Sequence, residues 1–371
     1  MEHLATRSIG MAVVLGILAM AGAGPGSCTA GESAERDYPV ATDTGIEADR
    51  DSDVTGRVEF GIAANYPNDA GIESNAAVEF TENFEQVTIA DLLVGWEYNT
   101  NSARMSFTPD TPSGSGGSQS VFFDGSADLY TRLLPGHDQL YVRYYAKVET
   151  ECNNVHHWPW LGGHNPSTAW PWPRAGIRPA GDERFSTGIE PYGDWWAWAF
   201  YTYWMHMRTN PGGSYWGNTF SGKPSPHTAH KGQWICIEFM VRMNDPVTAS
   251  NGEQAFWIDG VKKNHLGPGF PRGEWIWDGF WPNASCTPSG PCDPNGSATP
   301  CCTDFEGFRW RTVPELNLNY FWLEHYVDSD PSCGAWFDDL VIATEYIGPM
   351  VGLFADGFEN GTTSAWSSVM P

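Results

Sequence analysis

Positive charge is scarce in this chain of 371 residues, which carries 20 Lys and Arg against 45 Asp and Glu, for a formal net charge of −25. Proteins that bind nucleic acid use Lys and Arg to neutralise phosphates, so the charge balance argues against a nucleic-acid partner. The same balance disfavours a polyanionic substrate unless basic residues are concentrated at the binding site. A neutral partner, or a locally basic site, is therefore what the composition allows.

Long apolar segments are also missing. The longest apolar run covers residues 9–23 behind Arg7, and it is too short to span a bilayer comfortably. It has the pattern of a secretory signal peptide, with small residues at Ala21 and Ala23 where cleavage would occur. We therefore expect a signal peptide at residues 1–23, export to the extracellular space and no transmembrane segment. Cys28 is a candidate for lipid attachment at the cell surface, although the residues before it make a poor lipidation motif.

The eight cysteines include no Cys-x-x-Cys pair in the one loop where four of them cluster, residues 282–303. Without such a pair, a zinc site is disfavoured relative to disulfides, which an exported chain readily forms. The spacing does not decide the pairing. If Cys28 is lipidated, an odd number remains and one thiol is free. The other cysteines are Cys152, Cys236, Cys286, Cys292, Cys301, Cys302 and Cys333.

No stretch of the chain keeps a helical period, and 41 glycines and 27 prolines interrupt it throughout. Many short alternating runs between turn signals predict an all-β fold of two antiparallel sheets, a sandwich. We divide the chain into the signal peptide, an acidic disordered linker at residues 24–76, a β domain at 77–350 and a C-terminal tail at 351–371. We expect a monomer.

Residues 183–208 are the most informative stretch and read ERFSTGIEPYGDWWAWAFYTYWMHMR. They predict two strands joined by a turn. Because alternate strand residues share a face, Arg184, Ser186 and Glu190 lie on one face of the first strand, and Tyr201 and Tyr203 share a face of the second. Such a polar and aromatic face suits sugar rings better than a hydrophobic core and indicates a carbohydrate cleft.

Tryptophans are concentrated between residues 158 and 216. Flat rings stack on sugar faces, and exposed tryptophans are otherwise costly. Tryptophans in the Pro-rich loop are hard to bury as strand residues, so we expect several of them to contact ligand. This leaves open a sugar-binding module without catalytic activity. The candidate substrate-binding tryptophans are Trp158, Trp160 and Trp195.

The Tyr-x-Tyr strand at residues 201–203, following a strand with Phe-Ser-Thr at 185–187, resembles alginate and glucuronan lyases of polysaccharide-lyase families 14 and 20. Two further stretches are similar to that group: GQWICIEFMVRMNDPVTASNGEQAFWIDG and FWLEHYVDSDPSCGAWFDDLVIAT. The resemblance covers roughly residues 120–345 as scattered motifs. It implies a concanavalin A-like jelly roll and β-elimination of a uronic-acid polymer.

That chemistry needs a base for the C5 proton, an acid for the departing O4 and a group that neutralises the carboxylate. The resemblance implies that Tyr201 and Tyr203 are the acid and base and that Ser186 orients the substrate. A tyrosinate base requires nearby positive charge, because tyrosine has a pKa of about 10. A second predicted strand can supply it, with Arg143 as the neutralising group. The substrate-binding candidates from these strands are Tyr141, Tyr145, Lys147 and Arg184.

The chain departs from the family pattern at two basic positions. Gly188 stands where the family has arginine, and histidines occupy the loop where it has lysine. We therefore consider His157 as catalytic and His164 as substrate-binding or catalytic, since histidine titrates near neutral pH. Glu190 opens an alternative, a glycosidase acting on a neutral glucan with two carboxylates. Its possible partners are Glu238, Glu306 and Glu324.

Acidic residues also predict one metal site. Asp338 and Asp339, with Glu85 or Glu82, could hold a structural Ca²⁺, which prefers carboxylate and carbonyl oxygens. We expect no cofactor to be required for the chemistry.

Overall fold

The computed structural model describes residues 57–153, 155–192, 196–221, 230–327 and 333–352. The predicted signal peptide, Cys28, most of the predicted linker, Trp195 and nearly all of the C-terminal tail lie outside these ranges. One short helix, α1 (Ile89–Leu92), and five 3-10 turns accompany the strands. The turns are Ile62–Asn65, Pro67–Asp69, Ile72–Ser74, Leu93–Gly95 and Ser102–Arg104.

Strands make up the rest of the regular structure. They are β1 (Val78–Glu82), β2 (Tyr98–Thr100), β3 (Met105–Thr108), β4 (Ser120–Phe123), β5 (Ala127–His137), β6 (Gln139–Val148), β7 (Trp160–His164), β8 (Arg184–Tyr192), β9 (Ala197–Tyr203), β10 (Asn218–Ser221), β11 (Ile235–Arg242), β12 (Glu253–Ile258), β13 (Val261–Leu266), β14 (Arg272–Ile276), β15 (Gly279–Pro282), β16 (Cys301–Asp304), β17 (Leu318–His325) and β18 (Ala335–Ala343).

The strands form two sheets, which confirms the predicted all-β sandwich. Sheet A has eight strands in the order β13-β12-β11-β6-β18-β4-β3, and β1 also pairs with β18. Sheet B has ten strands in the order β16-β14-β15-β10-β9-β8-β7-β17-β5-β2. Among the described pairings all are antiparallel except β10 with β15. Neighbouring strands are often distant in sequence, as expected for a jelly roll.

Aromatic and aliphatic side chains from both sheets fill the space between them. Phe200 on β9 packs with its ring centroid 6.3 Å from that of Phe239 on β11 and 5.4 Å from that of Phe256 on β12. Side chains at odd and even positions of a strand point to opposite faces. Since Phe200 points to sheet A, its neighbour Tyr201 points away from it, as the alternation predicts.

The ordered domain begins earlier than the sequence indicated. Residues 57–76 were predicted to belong to a disordered linker, but they lie along sheet A. Ile62 and Ile72 are buried against Ile347, and the backbone N–H groups of Ile62 and Ala63 donate to the carbonyls of Tyr346 and Ile347 at 3.0 and 2.9 Å. Ile62, Ala63 and Ile72, with Tyr66 packed against them, anchor the segment.

Six cysteines form three disulfides, Cys152–Cys333, Cys286–Cys302 and Cys292–Cys301. Cys236 is a buried free thiol. The four-cysteine loop is therefore fixed by two disulfides, and zinc is excluded there. In the described ranges we find no helix with the length and apolarity needed to cross a membrane.

Candidate functional site

The candidate site is the outer face of sheet B, meaning the side chains that point away from sheet A. Strands β9, β8, β7 and β17 are consecutive neighbours there. Their cross-strand register brings Tyr203 opposite Ser186 and Tyr201 opposite Gly188. It also brings Arg184 opposite His164. The predicted phenols, serine, arginine and histidine thus share one face of one sheet.

Tyr201 and Tyr203 form the centre of this face. Their ring centroids lie 5.7 Å apart, and the hydroxyl of Tyr203 donates to the carbonyl of Trp216 at 3.0 Å. Burial, and then the nearby Tyr203 and Glu190, raise the pKa of Tyr201 well above 10. Its phenol therefore keeps its proton at neutral pH and can serve as a donor. Gly217 covers the ring, and a Cβ at that position would lie 2.5 Å from it.

Arg184 and His164 form one end of the face. Each is only 2% exposed. A guanidinium nitrogen of Arg184 donates to the carbonyl of Ile177 at 2.6 Å. Its Nε has no hydrogen-bond partner among the described residues but is ion-paired with Oε1 of Glu183 at 3.7 Å. Neither ring nitrogen of His164 has a hydrogen-bond partner in the part of the chain that the structure describes. Burial, and then the charge of Arg184, lower the pKa of His164 to about 4, so the imidazole is neutral at pH 7.

The other end of the face carries two carboxyl groups. Nδ1 of His157 lies 3.0 Å from Oε2 of Glu190, and Nε1 of Trp160 donates to Oε2 of Glu324 at 2.7 Å. Burial raises the pKa of Glu190 to about 8 and that of Glu324 well above its usual range. At neutral pH these groups favour their protonated, uncharged forms, which reduces repulsion of an anionic substrate.

Gly188 has a structural reason to be glycine. A Cβ at this position would lie 2.4 Å from the carbonyl oxygen of Pro159. The arginine that the family resemblance leads one to expect does not fit on this backbone. Positive charge on the outer face of sheet B comes from Arg184 instead.

Four predicted residues of β6 do not reach this face, which corrects the expected positions of Tyr141, Arg143, Tyr145 and Lys147. They share a face as predicted, but β6 belongs to sheet A, and they lie on the outer side of that sheet. Arg143 is fully buried and ion-paired with Asp69, and it also donates to the carbonyl of Asp339 at 3.0 Å. Alternation fixes which residues share a face, but not which sheet a strand joins.

The tryptophans divide between core and surface. Trp158 was expected to bind substrate but packs in the core against Trp198 and Phe337, at 5.5 and 5.7 Å between ring centroids. Pro159 and the start of β7 at Trp160 break the alternation, so Trp160 faces the other way and contacts Tyr201 at 5.9 Å. Among the residues that the structure describes, the exposed tryptophans are Trp170, Trp172 and Trp216.

Sequence reasoning missed Tyr320 and Trp322 on β17, and it named Glu324 only as one of three possible partners. Tyr320 stacks on His164 with 4.8 Å between ring centroids and hydrogen-bonds to Ser186. Trp322 stacks on Trp160 at 6.4 Å. The alternation in residues 318–325 shows which of these side chains share a face. It does not show that β17 pairs with β7, because the paired positions are about 160 residues apart in sequence.

The predicted calcium ligands are only partly assembled. Asp338 and Asp339 are buried, and each has one carboxylate oxygen without a hydrogen-bond partner in the described ranges. Glu85 instead accepts hydrogen bonds from the backbone of Ser118 at 2.7 Å and of Gln119 at 2.9 Å. In the part of the chain that the structure describes, no group of three or more His, Cys, Asp or Glu side chains is arranged to hold a metal ion. Calcium binding stays a prediction.

No protein-family model matches the chain, and no curated protein matches its sequence. Solved structures with a similar arrangement include the alginate lyase Aly36B, at 10% identity and a TM-score of 0.44 over 72% of this chain and 98% of that one. The alginate lyase vAL-1 from Chlorella virus is 13% identical, with a TM-score of 0.43 over 72% and 99%. The catalytic domain of a glycoside hydrolase family 131 protein from Coprinopsis cinerea is 10% identical, with a TM-score of 0.34 over 76% of this chain and 100% of that one. Similarity this low carries no argument about activity.

Proposed function

We propose that the outer face of sheet B binds a uronic-acid polysaccharide and cleaves it by β-elimination. The observation that carries this proposal is the pair of Arg184 and His164. A buried cation and a buried neutral imidazole lie side by side on the same face as Tyr201 and Tyr203. Both imidazole nitrogens and the Nε of Arg184 lack a hydrogen bond among the described residues, and the one carboxylate near that Nε is Glu183 at 3.7 Å. Buried polar groups are normally hydrogen-bonded, so unpartnered ones at a candidate site favour a ligand that completes them.

Arg184 takes the role that the sequence had assigned to Arg143. The uronate carboxylate makes the C5 proton hard to remove, and a cation beside it stabilises the charge that develops during removal. Guanidinium binds carboxylate with matched geometry. A carboxylate next to Arg184 would also compensate a charge that burial disfavours, as the lowered pKa of Arg184 indicates.

His164 is the proposed base and Tyr201 the proposed acid. The C5–H bond breaks as His164 takes the proton, the electron pair forms the C4–C5 double bond, and the C4–O4 bond breaks as O4 receives a proton from the phenol. A histidine whose pKa is about 4 is neutral over the whole physiological range. The raised pKa of Tyr201 keeps its proton available.

Two further features support this reading. The exposed indoles of Trp172 and Trp216 lie close to the site: Trp172 is 6.2 Å from His164 between ring centroids, and the carbonyl of Trp216 accepts from Tyr203. Exposed tryptophans beside a polar face are typical of sugar binding. Three disulfides favour an oxidising compartment, so we place the protein outside the cell.

The test is incubation of the purified protein with alginate, glucuronan, other polyuronates and neutral glucans. Elimination produces an unsaturated sugar that absorbs in the ultraviolet. We expect that absorbance to rise with at least one polyuronate. Reducing ends without the absorbance, or no reaction with any polyuronate, would overturn the proposal.

Hydrolysis is the second candidate, because of Glu190 and Glu324. They lie on β8 and β17, two strands apart with β7 between them. Strand spacing then puts their backbones about 9.5 Å apart, near the upper end of the range of about 6.5–9.5 Å for the carboxyl groups of inverting glycosidases. Reducing ends from a neutral glucan, lost in Glu324→Gln, would favour this reaction.

A further inference from the structure

A second cavity lies on the opposite side of the protein, on the outer face of sheet A. It has a volume of about 520 Å³, within the range of ligand sites. Its lining includes Lys147 from β6, Trp336 from β18, Asp110, Glu149 and Thr150. Because these strands belong to sheet A, the cavity is separate from the face that carries Tyr201 and does not depend on the function proposed for that face.

The side chains of this cavity are held in place by one another. Lys147 is ion-paired with Asp110, and its ammonium lies 4.3 Å from the ring centroid of Trp336 and 5.3 Å from that of Trp234. The other oxygen of Asp110 accepts from Nε1 of Trp234 at 2.8 Å. One oxygen of Glu149 accepts from the backbone of Gly334 at 2.7 Å. Such a network presents a fixed set of groups rather than a flexible surface.

One hydrogen-bond donor of the cavity lining, the indole N–H of Trp336, has no acceptor among the described residues. This N–H group is buried. Buried indole N–H groups usually find an acceptor. Trp336 lines the cavity, so an oxygen of a ligand that inserts beside the buried indole N–H is a suitable acceptor.

The charges narrow the ligand class. Lys147 is balanced by Asp110, whereas Glu149 and the neighbouring Glu151 add negative charge to the lining, which repels uronate or sulfate. A cation would have to be held by Glu149 and Glu151 without the indole of Trp336, because that indole already contacts Lys147 and, at 4.4 Å between ring centroids, Phe122. The lining thus combines the unpartnered indole N–H of Trp336 with the carboxylates of Glu149 and Glu151. A sugar hydroxyl can accept a hydrogen bond from the indole and donate one to a carboxylate.

We propose that this cavity is a binding site for a neutral sugar residue of a glycan. It would hold the protein to a neutral polysaccharide while the outer face of sheet B remains free.

The experiment is calorimetric titration of the full chain with neutral oligosaccharides of glucose, mannose and galactose, with oligouronate and oligolysine as the other ligands. We expect at least one neutral oligosaccharide to bind. Trp336→Phe, which keeps a ring but removes the donor, should weaken that binding about 3- to 10-fold, the value of one neutral hydrogen bond. Thr150→Trp, which fills the cavity from an exposed position, should abolish it.

Two controls separate this site from the outer face of sheet B. Tyr201→Phe and Trp172→Phe change side chains at that face only and should leave the neutral-sugar affinity unchanged. Thermal melting checks that Trp336→Phe and Thr150→Trp still fold. The proposal is overturned if the wild-type protein binds no neutral oligosaccharide, if Thr150→Trp binds as well as wild type, or if oligolysine is the ligand that Thr150→Trp loses.

Discussion

Arg184 on β8 and His164 on β7 are cross-strand partners on the outer face of sheet B, each 2% exposed. Burial, and then the charge of Arg184, lower the pKa of His164 to about 4 and keep the imidazole neutral. In the proposed elimination, this pair supplies a cation for a carboxylate and a neutral base for a proton, on the same face as the phenols of Tyr201 and Tyr203.

Removing the phenol hydroxyl of Tyr201 should stop cleavage without unfolding the protein. The ring of Tyr201 packs against His157 and Trp160, at 5.1 and 5.9 Å between centroids, and phenylalanine preserves those contacts. A lost general acid typically costs about 10²–10⁴-fold in rate. Steady-state rates and thermal melting measure the two effects for Tyr201→Phe. Tyr141→Phe is the matched control on sheet A, and its rate should equal that of wild type.

Replacing Arg143 and replacing Arg184 should have different effects, the first on stability and the second on activity. Arg143→Met leaves Asp69 without its buried ion-pair partner, so we expect a loss of about 3–5 kcal/mol in the free energy of unfolding. Arg184→Met should instead abolish cleavage of a polyuronate in protein that is still folded. Chemical denaturation and rates at saturating substrate separate these outcomes. Full activity in folded Arg184→Met would contradict the neutralising role.

The pH dependence of stability should change when Glu190 is replaced. Burial raises the pKa of its carboxyl from 4.5 to about 8, so between these values the folded state holds a proton that the unfolded state releases. Stability from this group is therefore complete below about pH 4.5 and is lost as the pH rises through about 8. Glu190→Gln should make the decline shallower in denaturant unfolding across that window. An unchanged slope would show that Glu190 is not desolvated.

Calcium should stabilise the protein through Asp338 and Asp339. Burial raises the pKa of both carboxyls, and each keeps an oxygen without a partner among the described residues. A bound cation would offset that cost. We expect a chelator to lower the melting temperature, calcium to restore it, and Asp338→Asn to remove the response. No response in the wild-type protein would rule out the site.

The sequence predicts which side chains of a strand share a face, but it does not predict which distant strands pair with each other. The shared face of Arg184, Ser186, Glu190, Tyr201 and Tyr203 follows from a period of two, and the structure places these residues on one face as predicted. Arg143 and Lys147 were misplaced because sheet membership depends on partners such as β11 and β18, far away in sequence. Trp158 was misassigned because Pro159 interrupts the alternation. Residues 57–76 were predicted to be a linker because their few apolar residues, such as Ile62 and Ile72, follow no regular period.

Cleavage in water enriched in heavy oxygen, followed by mass spectrometry of the products, tests the account most directly. Hydrolysis of one linkage places one oxygen from water at the new reducing end, provided that this end is reduced with borohydride at once to prevent exchange with the solvent. Elimination incorporates no oxygen from water and leaves an unsaturated product one water lighter. The account predicts unlabelled, unsaturated oligouronates from wild-type protein and no products from Tyr201→Phe. Saturated products carrying heavy oxygen would contradict it and would make Glu190 and Glu324 the reacting pair.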